Sequence, residues 1–315
     1  MTQLASKRKL WFTISLLVII PGLLSLIFSG LKLGIDFTGG TLWEIRFTQP
    51  AQAADVEAAL RGAGLESVIV QRSGPANDET FLIRMPEVPE GSPRKAELTQ
   101  ALESTVGPFT ELEFSTVGGA LSSQIRNRAI LAVAIASIGI LLYMAYAFRN
   151  TQNPLLYGSA ALVAMLHDVL VVIGIFSILG FLFNVQIDAL FITALLTVIG
   201  FSVHDTIVVF DRIRENLAKY PDDTFEQIVD YSLAQTVVRS LNTSLTVIFT
   251  LLALVLFGGG STRMFVLALL IGVVSGTYSS IFNASQLLVA WEHGEIQRLF
   301  GRLTRFRPRA AMPGA

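Results

Sequence analysis

Residues 200–216 read GFSVHDTIVVFDRIREN, an apolar run into which His204 and Asp205 are set side by side. An aspartate at the centre of a membrane helix costs about 2.5–3.5 kcal/mol on insertion scales, so it calls for a partner, a wet cavity or a task. The next apolar segment begins RSLNTSLTVIFT, where Arg239, Thr243, Thr246 and Thr250 recur at intervals of four, three and four and form one polar stripe on a helix. Two antiparallel helices would set that stripe opposite Ser202, Asp205 and Thr206. Pairing with arginine and loss of water act on a carboxylate in opposite senses, so a water path that opens and closes would switch Asp205 between charged and protonated forms. The same pair also reads as a salt bridge that only fixes helix packing. His204, about 100° around the helix from Asp205, is either a proton relay or a packing residue.

A second polar pair, His167 and Asp168, interrupts ALVAMLHDVLVVIGIF. It reads either as part of a proton or water route or as hydrogen-bonded glue between helices. Gly272, Ser275, Gly276, Ser279, Asn283 and Gln286 mark the last apolar segment. There the small-xxx-small spacing of Gly272 and Gly276 points to close helix packing. Asp211, Arg212, Arg214 and Glu215 form either a solvated helix end or a docking surface. In GIDFTGGT, Asp36 followed by Gly39 and Gly40 suits a turn with free backbone angles, serving as a hinge or a tight domain connection.

The elements that must position these residues are membrane helices. The chain has 315 residues, 52% of them hydrophobic and 15% charged, with a mean hydropathy of +0.59, too apolar for an ordinary soluble domain. Six apolar segments have spanning length: Leu10 to Gly30, Ala129 to Phe148, Gly158 to Phe183, Ala189 to Phe210, Leu241 to Phe257 and Phe265 to Trp291. Lys7, Arg8 and Lys9 before the first raise the alternative of a signal peptide. The run is long enough to span, and no A-x-A-like site follows, so it reads as a retained helix. Basic residues at 7–9, Arg149, Arg212, Arg214, Lys219 and the tail's Arg298, Arg302, Arg305, Arg307 and Arg309 flank one side, which predicts cytoplasmic termini.

Residues 1–30 are thus a cytoplasmic N-terminus and first span, and 31–124 an extracytoplasmic domain. Residues 125–291 make a five-helix region with a cytoplasmic connector at 211–239, and 292–315 a cytoplasmic basic tail. TFEQIVDYSLAQTVV in the connector predicts a short helix at the membrane surface or folded back on the bundle. Strand and helix patterns across 31–124 follow the order β-α-β-β-α-β, the ferredoxin-like α+β sandwich.

Cysteine is absent, which excludes disulfides and thiolate chemistry, and the three histidines are too scattered for a zinc centre. No metal site or nucleic-acid partner is expected. The chain has no G-x-x-x-x-G-K-[ST] loop and no nucleophile constellation, so it reads as a non-enzyme, without cofactor, that draws its energy from an ion gradient.

LGIDFTGGTLWEIRF, IGFSVHDTIVVFDRIREN and RSLNTSLT with the later LFGGG closely resemble the SecF family of bacterial protein-translocase subunits, within the SecD/SecF family and the resistance-nodulation-division superfamily. The resemblance covers all six spans and the outer domain. It implies a multi-pass protein of the bacterial cytoplasmic membrane, in contact with lipid. The implied partners are a SecD-like six-span half, the SecYEG channel and the translocating preprotein, and the implied energy source is the proton-motive force. It also implies that Asp205 and Arg239 are the proton-coupling pair, with Thr206, Thr243, Thr246, His204, His167 and Asp168 auxiliary. One departure stands out: family members usually carry Asn where this chain has His204. Two rival functions stay open on the residues, a small-molecule proton antiporter and a purely structural scaffold. Against the first, an outer domain of about ninety residues leaves little room for a pocket of about 300–1,000 Å³.

Overall fold

The computed structural model describes residues 4–73, 79–149, 151, 153–295 and 298. A short 3-10 turn, Ala5–Lys7, leads into the first long helix, α1 (Arg8–Ser29). A one-turn helix, α2 (Ile35–Thr38), then precedes the outer domain: β1 (Gly40–Phe47), α3 (Ala53–Gly62), β2 (Ile69–Arg72), β3 (Thr80–Met85), α4 (Pro93–Thr105) and β4 (Phe109–Val117). The strands form one antiparallel sheet in the order β2-β3-β1-β4, the ferredoxin-like arrangement expected from the strand and helix pattern.

Alternation in TLWEIRF turns Trp43, Ile45 and Phe47 toward the helices, where they meet Phe81 and Ile83 of β3, Val56 and Leu60 of α3, and Leu98 and Leu102 of α4. Ser92 caps α4 by accepting from Lys95 N, and Pro93 occupies its first turn. The core needs no staples because it is built around a fully buried tryptophan whose Nε1 donates to Glu111 Oε2 at 2.8 Å.

Five long helical stretches follow: α5 (Gly119–Ala147), α6 (Pro154–Phe183), α7 (Ala189–Lys219), α8 (Phe225–Phe257), and a last one made of α9 (Gly260–Ser279), a π-helical turn (Ser280–Ala284) and α10 (Ser285–Glu292). Among the described residues, six helices are long and apolar enough to cross a membrane. Helices α6, α7 and the α9–α10 stretch form the buried centre, while α1, α5 and α8 lie largely on the outside. Where α1 crosses α6, Gly22 meets Gly174 so closely that a Cβ on Gly22 would stand 2.7 Å from the Gly174 Cα.

The segment 211–239 corrects the expectation of a connector carrying its own short helix. Helix α7 runs on to Lys219, and α8 begins at Phe225 and continues unbroken through the fifth span, so only Tyr220–Thr224 is non-helical. A capping box between Thr224 and Gln227 starts α8 at Phe225. With propagation cheap and no Gly or Pro between Phe225 and Phe257, nothing stops the helix at the membrane boundary. The basic tail lies outside the described residues from 299 onward.

Candidate functional site

Asp205 sits in mid-α7 and is only 2% exposed. The structure sets Ser244, not Arg239, opposite it: the Ser244 hydroxyl donates to Asp205 Oδ2 at 3.4 Å, a long contact, and His204 Nδ1 stands 3.8 Å from Oδ1. The predicted stripe Arg239, Thr243, Thr246 and Thr250 is exposed on the outer face of α8, and Arg239 makes no ion pair among the described residues. That corrects the expected facing pair. The inner face has its own signal in the sequence: Ser232, Thr236, Ser240 and Ser244 recur at intervals of four and are all buried. Arg239 is next to Ser240, so a rotation of about 100° separates the Arg239 stripe from the face that packs.

His204 is 70% exposed at the side chain, pointing out of the bundle at mid-span. Thr206 is buried but donates to the carbonyl of Ser202, and Thr243 and Thr246 likewise bond backbone carbonyls of their own helix. None of the three touches Asp205 through its side chain. The outward face of α7 and α8 therefore carries an imidazole, a guanidinium and three hydroxyls.

The pair His167 and Asp168 proves to be the denser site. Asp168 is fully buried, and four donors converge on its two oxygens. Ser202 Oγ of α7 (2.6 Å) and Ser279 Oγ of α9 (2.6 Å) donate to Oδ2, and Ser275 Oγ of α9 (2.7 Å) and His167 Nδ1 (3.0 Å) to Oδ1. Three serine hydroxyls and one imidazole thus surround the two carboxyl oxygens. Gly276 makes room for it: a Cβ there would stand 3.2 Å from Ser202 Cβ and 3.6 Å from Asp168 Oδ2, and Gly272 is packed still more tightly on Val198. Ser202 ties the two carboxylates to one helix, since Asp205 follows it by three residues on α7.

Asp36, Gly39 and Gly40 join the outer domain to the bundle. Asp36 Oδ2 accepts from Ala189 N at 2.7 Å, at the start of α7, where Asp188 also caps by accepting from Phe191 N at 2.9 Å. Gly39 (φ 79°) and Gly40 (φ 126°) hold backbone angles disfavoured for other residues, and a Cβ on Gly40 would stand 2.7 Å from the Met85 carbonyl oxygen. Close by, Gln71 Nε2 of β2 donates to the Asn184 carbonyl (3.0 Å), and Gly34 N to the Ile187 carbonyl (2.7 Å). The arrangement is a tight connection that clamps the outer domain to the loop between α6 and α7. Burial pushes the carboxyl of Asp188 above its usual range, and the neighbouring Asp36 adds to the shift. The FDRIREN charges pair along the helix, Arg214 with Asp211 (2.6 Å) and Arg212 with Glu215 (2.8 Å), as a solvated helix end does.

Residues 97–294 match the family model described as protein export membrane protein SecD/SecF, C-terminal, and residues 24–51, which contain Gly39 and Gly40, match the SecD/SecF GG motif. The chain belongs to the SecD/SecF family of protein export membrane proteins. It is 56% identical to the protein translocase subunit SecF of Thermobaculum terrenum over 96% of this chain and 98% of that one. It is 34% identical to the protein translocase subunit SecDF of Bacillus subtilis over 93% of this chain but 38% of that one. A crystal structure of SecDF in a super-membrane-facing form matches with a TM-score of 0.65 at 30% identity, over 94% of this chain and 39% of the SecDF chain. This SecD/SecF-family chain is therefore similar to a whole SecF and to a little over a third of a SecDF.

Proposed function

We propose that the chain is the SecF-type half of a protein-export complex, working beside a SecD-like six-span half to promote passage of preproteins through the SecYEG channel at the proton-motive force's expense. Its similarity to whole SecF subunits and to part of SecDF chains supports the pairing. The observation that carries the reading is the setting of Asp205: a buried mid-span carboxylate with one long hydroxyl contact, the His204 imidazole 3.8 Å away and no Lys or Arg partner among the described residues. It lies beside an outward face carrying His204, Arg239 and Thr243. Polar groups at that depth are costly against lipid, so a second half fits over them. A path that admits water then lets Asp205 gain and lose a proton as the halves move. No cofactor enters this reading. Six crossings and the basic residues at Lys7, Arg8, Arg149 and Lys219 support a reading in which both termini lie on the cytoplasmic side of the cytoplasmic membrane.

The test is preprotein export into inverted membrane vesicles, with and without a proton gradient, comparing the native chain with Asp205→Asn at matched assembly. The expected result is loss of the gradient-dependent part of export with the complex intact. Export that still responds fully to the gradient would overturn the proton-coupling role and leave the chain a scaffold. Substituting a sodium gradient in the same vesicles separates proton from sodium coupling.

A further inference from the structure

We infer that the cleft between α1, α6 and α9 holds one acyl chain of an anionic phospholipid whose headgroup rests on Lys7. The cleft has a volume of about 420 Å³ and is walled by Ile14, Val18, Val171, Ile175, Leu270 and Val274, within the ~300–1,000 Å³ range of small-molecule sites. It exists because α1 is pinned at two points. Gly22 meets Gly174 at one, and at the other Tyr278 OH donates to the Trp11 carbonyl (2.8 Å) and Ser15 Oγ to Asn283 Oδ1 (2.9 Å). From Ser15 to Gly22 the helix runs about 10 Å at 1.5 Å per residue, and the cleft lies along that stretch.

The cleft opens sideways, toward what surrounds the bundle. Ile14, Val18 and Val274 at its lips are 38%, 44% and 49% exposed, and α1 lies on the outside of the bundle. Ser15, Ser275 and Tyr278 at the edge already bond within the protein, so the occupant of the cleft proper is apolar. Water is excluded as that occupant, because a stable buried water takes two to four polar partners. A neighbouring helix, about 10 Å across, would lay only a side chain or two into so short a recess. A flexible acyl chain enters from the side and fills it.

The headgroup follows from the end of α1. Lys7, Trp11, Ile14 and Val18 succeed one another at intervals of four, three and four, a single stripe that leads from the basic end of the helix into the cleft. At the level of Trp11 an aromatic collar joins α1 to the last helical stretch: Trp11 and Phe282 have ring centroids 4.2 Å apart, and Phe282 and Tyr278 5.2 Å. Such rings mark the boundary between hydrocarbon and headgroups. The turn that carries Lys7 is fixed, because Ala5 is fully buried with its N donating to Asp230 Oδ1 (2.8 Å), and Trp11 Nε1 donates to the Leu4 carbonyl (3.2 Å). Arg8 is neutralised by Glu226 (3.3 Å) and Glu295 (2.5 Å), whereas Lys7 is exposed and makes no ion pair among the described residues. A fixed, unpaired ammonium one aromatic layer above an apolar cleft complements a lipid with a chain below and net negative charge above.

The probes are phosphatidylglycerol and phosphatidylcholine carrying the same diazirine-bearing acyl chain, photoactivated on the full chain in lipid nanodiscs. Labelled peptides are quantified against the outer helix α5. Labelling around Val18, Val171 and Val274 should exceed that of α5. Relative to α5, phosphatidylglycerol should label these peptides about fivefold more than phosphatidylcholine, the worth of one lysine beside an anionic headgroup. Val274→Trp, at the lip, should abolish the labelling, and Lys7→Gln should make the two lipids equal while keeping the label. Cleft labelling no higher than that of α5, equal labelling by the two lipids in the native chain, or a preference that survives in Lys7→Gln would overturn the assignment. So would label that appears in nanodiscs but is missing in native membrane vesicles, which would give the cleft to a protein partner. The comparison of the two lipids needs no variant, so it decides the matter even where a variant fails to fold.

Discussion

Replacing Asp168 with asparagine removes the charge on which three helices converge while keeping shape and volume, and it should be among the most destabilising single changes in the bundle. The asparagine oxygen can accept from two of the four donors, but its amide nitrogen then faces the other two, donor against donor. Side-chain hydrogen bonds inside membrane bundles average about 0.6 kcal/mol and reach about 1.7. Serine hydroxyls can also turn back to their own helix, as Ser279 already leans toward the Gly276 carbonyl at 3.3 Å. Two lost bonds together with buried donors left facing each other therefore give a loss of about 2–4 kcal/mol, below the cost of leaving a truly unpaired buried charge. By contrast Ser202→Ala, Ser275→Ala and Ser279→Ala each leave the carboxylate three donors and should cost about 0.6 kcal/mol apiece. The assay is reversible unfolding of the purified chain in mixed micelles, with double-mutant cycles between Asp168→Asn and each serine variant. Coupling should appear in all three cycles. An Asp168→Asn variant within about 0.5 kcal/mol of native, the usual range for a substitution away from any special feature, with no coupling to the serines, would refute the claim that Asp168 organises the bundle.

Two further outcomes follow from the geometry. Gly174→Val should force α1 off α6, because even a Cβ would stand 2.8 Å from the Gly22 Cα; overpacking of this kind costs about 1–3 kcal/mol or more. A lower melting temperature by fluorescence-detected size exclusion would show it, and an unchanged one would mean that α1 is free to shift. Asp188 has its folded-state carboxyl pushed upward, chiefly by burial, so the folded chain holds that proton more tightly than the unfolded chain does. Stability from this group is present below the unfolded pKa and is lost as pH rises through the raised folded one. Asp188→Asn, which keeps the capping oxygen, should flatten the fall in melting temperature between acidic and neutral pH; a profile parallel to native would exclude Asp188 as its source.

Composition alone made this a membrane protein, because runs of about twenty apolar residues have no other stable solvent. The outer domain was equally legible: alternation in TLWEIRF and Pro93 near the start of α4 are local signals, and the sheet order follows from a small menu of topologies. Asp205 and the pair His167 and Asp168 stood out because charge within such a run is expensive wherever it points. Direction was another matter. Adjacent residues on a helix differ by about 100°, and Arg239 and Ser240 belong to two neighbouring polar stripes, so periodicity gives each a face without saying which face is inside. That choice depends on which surface of α8 packs on α7, and it put Ser244, not Arg239, opposite Asp205. Likewise Ser202, Ser275 and Ser279 are separated from Asp168 by 34 to 111 positions along the chain, and only the crossing of α6, α7 and α9, allowed by Gly272 and Gly276, brings their hydroxyls onto one carboxylate. Local order comes from neighbours in sequence and was readable there; the polar centre comes from helix rotation and crossing, which tertiary packing alone decides.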